Sequence, residues 1–231
     1  IQAQIENCLS ILLRSEIQIT GCGRTDAGVH ARGYYFHFDY KSTFHYKDVV
    51  YHANKILPAD IVLHQILPMN SDLHARFDAK KRSYIYKLKL EKNPFLPFHT
   101  EWPYALDEAG FTTLNQLAAE VGKADNFSRF CKTGSDVENH HCIIYDSFWT
   151  WNQANGELCY HITANRFLRG MIRLLTGMML NVVRGKVGFE EAKSCLHQQK
   201  ALKMVWSAPA EGLTLYGVDY EVPELPPFKL A

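Results

Sequence analysis

Residues 21–31 have the sequence GCGRTDAGVHA, and the interpretation of the whole chain begins with this stretch. A β-rich run at 17–20 precedes it, and an alternating run at 32–40 follows it. Its three glycines permit positive φ angles and sharp reversals of the backbone. The pattern predicts a loop between two strands that holds one side chain in a fixed pose at the open end of a sheet.

Asp26 is the acid of this loop, and Arg24 is a base two residues before it. A cation that close lowers the pKa of a carboxylate and keeps it ionised. An ionised Asp on a rigid loop is what a nucleophile or a positioned base requires, so we predict that Asp26 is catalytic. From the residues alone, the stretch could instead be an ordinary turn in which Asp26 caps its own backbone. A phosphate-binding loop is a third option, although the spacing matches neither GxxxxGK[ST] nor GxGxxG and no Lys closes it.

The composition predicts a soluble globular protein with a substantial core. The chain has 231 residues, of which 47% are hydrophobic and 21% charged, and this length suits one large domain or two small ones. The formal net charge is +1, so any surface for a nucleic acid must come from local clustering of basic residues. No apolar run approaches the roughly 18 residues that span a bilayer, and no signal peptide is recognisable.

The cysteines predict reduced intracellular thiols rather than disulfides or a zinc site. The six cysteines are dispersed and include no CxxC pair. The cluster at 140–142, His-His-Cys, lacks the second half that a metal site requires, so we expect no metal.

Hydrophobic periodicity predicts an α+β fold with helices on one face of the sheet. The predicted helices are 1–14, 46–57, 107–121, 166–183 and 189–198. Strands are predicted around the Asp26 loop and at 61–67, 82–90, 142–152, 158–164 and 213–220, with an Asn-Gly turn at 155–156. Prolines at 94, 97 and 103 suggest a boundary between an N-terminal half, 1–99, and a C-terminal half, 100–231, which repeats the helix and strand content of the first.

In two further stretches, basic residues recur at the spacing that places them on one face of a strand or of a helix. On the strand at 82–90, Arg82, Tyr84 and Tyr86 share one face and follow two lysines, which suits phosphate neutralisation and base stacking. On the helix at 166–183, Arg166, Arg169 and Arg173 fall within roughly a 60° arc near the N-terminus, where anions are favoured. The alternatives are a solvated strand edge with packed tyrosines and an exposed face of a core helix.

The motif GRTDAGVHA at 23–31 resembles the signature of the TruA family of tRNA pseudouridine synthases. The stretches FDAKKRSYIY at 77–86 and NRFLRGMIR at 165–173 also resemble motifs of this family. The resemblance implies that Asp26 is the nucleophile, that Tyr84 packs on the target base and that Arg169 pairs with Asp26. Phe127 and Phe130 belong to another family-like stretch and are expected in the core.

The resemblance also implies a fold and a partner. We expect two similar ferredoxin-like halves that share an extended, mostly antiparallel sheet with a central catalytic cleft, in a cytoplasmic homodimer without a cofactor. The expected substrate is tRNA, at uridines on the 3′ side of the anticodon stem-loop. Similar proteins begin with a strand before the first helix, and the sequence here starts at that helix. Leu213 is expected to form the cleft wall beside the base, and the other predicted substrate-binding residues are Arg24, Thr25, His30, Arg82, Arg166 and Arg173.

The expected chemistry breaks the N1–C1′ bond of uridine, turns the base and joins C5 to C1′. Asp26 would attack C1′ or serve a glycal-type elimination, and the sequence leaves both routes open. The competing functions are a catalytically silent RNA-binding module, a synthase for another RNA and a small-molecule enzyme that uses the glycine loop for phosphate.

Overall fold

The structure is a computed structural model and describes residues 1–92, 99–132, 134, 138–222 and 225. Its helices are α1 (Gln2–Leu13), α2 (Tyr46–Ile56), α3 (Glu108–Lys123), α4 (Met171–Val183) and α5 (Phe189–Gln198). Its strands are β1 (Thr20–Gly21), β2 (His30–Ala31), β3 (Phe36–His37), β4 (Ala79–Lys89), β5 (Thr100–Glu101), β6 (Ile144–Asn152), β7 (Glu157–Ala164) and β8 (Leu213–Tyr220).

Two compact units divide the chain. The first contains Ile1–Gly23 and Tyr35–Asp78, and the second contains Arg24–Tyr34 and Ala79–Tyr220. The Asp26 loop therefore belongs to the second unit. The predicted boundary at residue 99 separates two halves of similar helix and strand content, and these compact units are divided differently. The two halves stay a prediction.

The first unit is built from α1, α2 and the antiparallel pair β1–β3. Leu9 and Leu13 of α1 are buried with Val49 and Ala53 of α2, so the apolar faces of the two helices form one core. The prediction of a strand at 61–67 is wrong, because the structure has no strand there. The backbone N–H and C=O of Leu63 instead bond the side chain of Asn54, each at 2.8 Å, so a side chain satisfies them rather than a neighbouring strand.

The second unit contains a six-stranded mixed sheet. Its order is β2-β8-β4-β7-β6, with β5 paired to β4. β4 is antiparallel to both β7 and β8, whereas β2 is parallel to β8. β4 is therefore a central strand, and Tyr84 on it faces Ile162 of β7 and Leu215 of β8.

Helices α3, α4 and α5 share one hydrophobic core with the sheet. Tyr86, Leu158 and Tyr160 of the sheet are buried with Leu117 of α3 and Leu175 of α4. The side chain of Asp107 caps α3 by accepting a hydrogen bond from the Gly110 N–H at 2.7 Å. Phe127 and Phe130 are 0% and 1% exposed, which confirms their predicted place in the core.

The mixed α and β content is confirmed, together with the β6–β7 hairpin and four of the five predicted helices within a few residues at their ends. The fifth, α4, begins at Met171 rather than at 166 because Gly170 has a φ of 71° and interrupts the backbone there. Two similar ferredoxin-like halves with one shared sheet stay a prediction. None of the helices in the described ranges has the length and hydropathy needed to cross a membrane.

Candidate active site

A tight turn at 26–29 holds the Asp26 side chain. The Val29 N–H donates to the Asp26 carbonyl oxygen at 3.1 Å, and Gly28 has a φ of 83°, which favours glycine at the third position of such a turn. A Cβ atom at Gly28 would also lie 3.1 Å from the Cβ of Ala210. Directly after the turn, β2 pairs with β8, so the loop is fixed to the edge of the sheet.

Arg173 is the closest cation to Asp26. Its Nη1 donates to Asp26 Oδ2 at 2.8 Å, and the two side chains are 15% and 25% exposed. The Nε of Arg173 donates to the Ala208 carbonyl oxygen at 2.7 Å, and the Ala208 N–H donates to the Arg173 carbonyl oxygen at 3.0 Å. The guanidinium is therefore held between a fixed backbone acceptor and the carboxylate.

Lys132 contributes a second cation, which sequence analysis did not identify. Its Nζ lies 3.5 Å from the same Asp26 Oδ2. The Lys132 N–H donates to the Arg169 carbonyl oxygen at 2.9 Å, and this bond holds the backbone from which the side chain starts. Within the described part of the chain, both cations contact Oδ2 and no hydrogen bond reaches Oδ1.

Arg169 does not form the pair predicted for it. Its side chain is exposed, and its Nη1 lies 3.5 Å from the Gly134 carbonyl oxygen. The prediction assumed a helix from 166, whereas α4 begins at Met171 and the turn at Gly170 removes Arg169 from its helical face. The Asp26–Arg169 pair is therefore corrected to Asp26–Arg173.

Two tyrosines on one face of β4 have different surroundings. Tyr84 is half-buried, and its ring meets that of Phe167 edge-on, with centroids 5.2 Å apart and planes at 84°. Tyr86 is 0% exposed, and its hydroxyl bonds Thr100 Oγ1 and the Pro209 carbonyl oxygen, each at 2.9 Å. Burial raises the pKa of Tyr86 well above its ordinary value, so it remains a neutral structural group.

The other predicted substrate-binding residues lie in the second unit with Asp26, in varied settings. Arg82 donates to the carbonyl oxygens of Ala79 and Asn165, at 2.9 and 2.8 Å, so its guanidinium braces the backbone. Leu213 is 5% exposed within the core. Arg24 and Thr25 are exposed, whereas His30 and Arg166 are half-buried.

The segment 206–212 contacts the residues and elements that hold the site. The carbonyl oxygens of Ala208 and Pro209 accept hydrogen bonds from Arg173 and Tyr86, respectively. Trp206 approaches α4 so closely that a Cβ at Gly177 would lie 1.9 Å from the Trp206 carbonyl oxygen. A Cβ at Gly212 would lie 2.8 Å from the Lys87 carbonyl oxygen. Gly177 therefore permits the contact of this segment with α4, which carries Arg173, and Gly212 permits its contact with β4. A single sequence carries no signal for either role.

None of the six cysteines forms a disulfide, and all of them except the half-buried Cys131 are buried. Burial raises the pKa of Cys195 to about 11 and that of Cys159 to about 12, so both are protonated at neutral pH. Across the residues whose positions are described, no three His, Cys, Asp or Glu side chains come together as metal ligands.

Comparison with known proteins identifies the family of the chain. A family model described as tRNA pseudouridine synthase matches residues 120–221. The chain is similar to tRNA pseudouridine synthase A of Azobacteroides pseudotrichonymphae, with 34% identity over 221 residues that cover 95% of this chain and 87% of the relative. The corresponding protein of Porphyromonas gingivalis is 33% identical over 222 residues, with 95% and 87% covered.

A third relative, tRNA pseudouridine synthase A of Dictyoglomus thermophilum, is 34% identical over 225 residues, which cover 95% of this chain and 89% of the relative. The similarity thus extends over almost the whole chain. The chain therefore belongs to the TruA family of tRNA pseudouridine synthases, which are isomerases.

Proposed function

We propose that this protein converts uridine to pseudouridine in tRNA, with Asp26 as the nucleophile. The observation that supports this most directly is the carboxylate itself. It is partly exposed on a rigid turn, and two cations contact Oδ2 while Oδ1 has no hydrogen bond from the described residues. A carboxylate oriented through one oxygen presents the other to an electrophile.

The reaction then follows in balanced steps. Asp26 Oδ1 bonds to C1′, the C1′–N1 bond breaks and its electron pair stays on the uracil. The base turns, C5 attacks C1′, the bond from C1′ to Asp26 breaks, and C5 loses its proton. In a glycal-type route the same carboxylate acts as a base at the sugar, and uracil again leaves with the electron pair.

Tyr84 supplies the second part of the proposed site. Extrusion of a nucleotide from an RNA stack costs a few kcal/mol, which contacts to the extruded base must offset. The half-buried ring of Tyr84 is held edge-on by Phe167, so it offers a preorganised surface for the uracil. Tyr84 would also be placed to take part in removal of the C5 proton.

The finer substrate assignment belongs to the same proposal. We infer that the target uridines lie on the 3′ side of the anticodon stem-loop, and that exposed basic residues such as Lys80, Lys81 and Lys186 contact the RNA backbone. We also propose that the protein is a cytoplasmic homodimer and that each chain contains two similar ferredoxin-like halves. The bacterial relatives named tRNA pseudouridine synthase A support tRNA as the substrate.

The test is tritium release from tRNA labelled at C5 of uridine. The wild-type protein should release tritium, and Asp26→Asn should lower the rate at least about 1000-fold, as removal of a nucleophile does. Asp146→Asn, an exposed acid on β6, serves as the matched control and should retain full activity. Equal release by Asp26→Asn and wild type would remove Asp26 from the reaction, and tRNAs with single labelled uridines would locate the target position.

A further inference from the structure

An aromatic and basic pair lies at the end of α4 opposite to Arg173. Arg184 directly follows α4, and its Nη2 donates to the Tyr104 hydroxyl at 2.8 Å. The guanidinium carbon of Arg184 also lies 4.1 Å from the centre of the Tyr104 ring, so the cation covers one face of that ring. Tyr104 is 43% exposed, and Arg184 is half-buried. The reaction proposed above uses neither residue.

The buried Trp102 fixes the orientation of Tyr104. Trp102 is 2% exposed, and the centres of the two rings are 4.7 Å apart with planes at 62°. The Arg184 guanidinium also lies 5.7 Å from the Trp102 ring, so Trp102 and Arg184 lie on adjacent sides of Tyr104 rather than on opposite ones. Neither group covers the second face of the Tyr104 ring. An oriented aromatic surface is therefore accessible to another planar group.

Arg184 has donors left for an anion. One of its N–H groups bonds Tyr104, and no carboxylate of the described residues forms an ion pair with it. The carboxylate of Asp107, three residues after Tyr104, accepts from the Gly110 N–H as the cap of α3. Lys186, which we inferred above to contact the RNA backbone, is exposed two residues after Arg184. The charge around Tyr104 thus suits a phosphate.

The segment 206–212 connects this pair to the Asp26 site. The ring centre of Trp206 lies 6.4 Å from that of Trp102, and Ala208 of the same segment bonds Arg173. Three helical turns separate Arg173 from Arg184, so the two arginines lie on the same face of α4, about 16 Å apart along its axis. A strand of only a few nucleotides spans this distance.

We propose that Tyr104 and Arg184 form a second contact site for the substrate RNA, at a nucleotide other than the target uridine. An unpaired base stacks on the face of Tyr104 that Arg184 does not cover, and the Arg184 guanidinium donates to a phosphate oxygen of the same strand. The inference rests on the proposed function for its choice of tRNA as the ligand. Aromatic side chains stack on unpaired bases of any sequence, whereas the bases of a duplex are stacked on one another. The contact therefore requires a single-stranded part of the tRNA.

The experiment measures the dissociation constant of fluorescently labelled tRNA by anisotropy for wild type, Tyr104→Ala, Tyr104→Leu and Tyr104→Phe. Leucine keeps an apolar contact with Trp102 without a planar ring, and phenylalanine keeps the ring without the hydroxyl. We expect the dissociation constant to rise roughly 5- to 100-fold in the alanine and leucine variants, because a stacking surface is lost. In Tyr104→Phe it should stay within about threefold of wild type.

Tyr51→Ala is the matched control. Tyr51 is also exposed and has the Lys55 Nζ 4.2 Å from its ring centre, but it lies on α2 in the first unit. The substitution therefore removes the same kind of cation and ring pair without touching the proposed contact site. Its dissociation constant for tRNA should equal that of wild type.

Two further measurements separate the base contact from the phosphate contact. Arg184→Gln should reduce the magnitude of the slope of log Kd against log salt by about 1, because one phosphate contact is lost. Tyr104→Ala should leave this slope unchanged. For a fully paired RNA duplex without loops, wild type and Tyr104→Ala should have equal affinity.

The outcomes separate the two proposals. Unchanged tRNA affinity in Tyr104→Ala and Tyr104→Leu overturns this inference and leaves the proposed function intact. An equal loss of affinity in Tyr51→Ala, or an equal loss for the paired duplex, does the same, because neither fits base stacking at Tyr104. A wild type that releases no tritium but loses tRNA affinity in the two Tyr104 variants overturns the proposed reaction alone. Should Tyr104→Ala have a lowered melting temperature, Tyr104→Leu with the melting temperature of wild type decides the question. A wild type that does not bind tRNA overturns both proposals.

Discussion

Arg173 has two roles that only an arginine can combine. Its Nε bonds the backbone at Ala208 while its Nη1 bonds Asp26, so one planar group aligns the carboxylate with the segment 206–212. A lysine could reach one of these acceptors but has no second donor at a fixed angle to the first. The exposed Arg169, four residues earlier, has no comparable role in the site.

We therefore predict that Arg173→Lys lowers kcat for tritium release roughly 10- to 100-fold, because the carboxylate loses its fixed donor. Arg169→Lys is the matched control, since it makes the same chemical change at the residue first expected to pair with Asp26, and its kcat should stay within about threefold of wild type. A larger loss in Arg169→Lys than in Arg173→Lys would restore Arg169 as the functional partner of Asp26.

Part of the site was predictable at this scale. The loop that carries Asp26 and the strand that carries Tyr84 are recognisable as local patterns, whereas the roles of the two side chains came from the family resemblance and stay predictions. The choice between Arg169 and Arg173 as the partner of Asp26 was not predictable, because it depends on where α4 begins. The interruption at Gly170 is visible only in the backbone angle of the folded chain. Lys132 was not recognisable either, since a contact across 106 residues has no local signature.

Among the secondary-structure elements, α4 and the segment 206–212 form the support of the site. The backbone of Trp206 lies against Gly177, one turn after Arg173 on α4. Two hydrogen bonds between Arg173 and Ala208 join the same two elements nearer the site. The position of the guanidinium therefore depends on how closely the segment can approach the helix.

Gly177→Ala tests this dependence. A Cβ atom 1.9 Å from the Trp206 carbonyl oxygen requires the backbone to move, and such overpacking costs about 1–3 kcal/mol. We expect a lower free energy of unfolding and a lower kcat, because Arg173 loses its alignment with Ala208. Chemical denaturation and tritium release measure the two effects.

Gly122→Ala in α3 is the control for that substitution. No atom of the described residues lies within 4 Å of a Cβ at Gly122, so the helix propensity of alanine should raise the free energy of unfolding by up to about 1 kcal/mol. If Gly177→Ala were equally stabilising and fully active, the segment would not be held by backbone contact with α4.

For the molecule as a whole, charge distribution rather than total charge must explain RNA binding. The chain carries 25 Lys and Arg against 24 Asp and Glu, so no overall field attracts a polyanion. Exposed basic residues at 80, 81 and 169 belong to the second unit, which also contains Asp26. Binding of phosphates by exposed basic residues depends on the release of counterions.

We predict that the KM for tRNA rises at least about tenfold between roughly 50 and 200 mM monovalent salt. The value of kcat at saturating tRNA should change little over this range, which controls for any effect of salt on the fold. A KM that is independent of salt would show that shape and base contacts, rather than phosphate contacts, dominate tRNA binding.

The sequence by itself determined the mixed α and β content, the β6–β7 hairpin, most helix positions and the Asp26 loop, because each depends on neighbours along the chain or on a short motif. Tertiary structure alone decided that Arg173 and Lys132 contact Asp26, that Tyr86 is buried while Tyr84 is partly exposed, and that Leu63 bonds a side chain rather than a strand. These outcomes depend on which distant groups satisfy a given charge or hydrogen bond, and that is settled only when the chain packs.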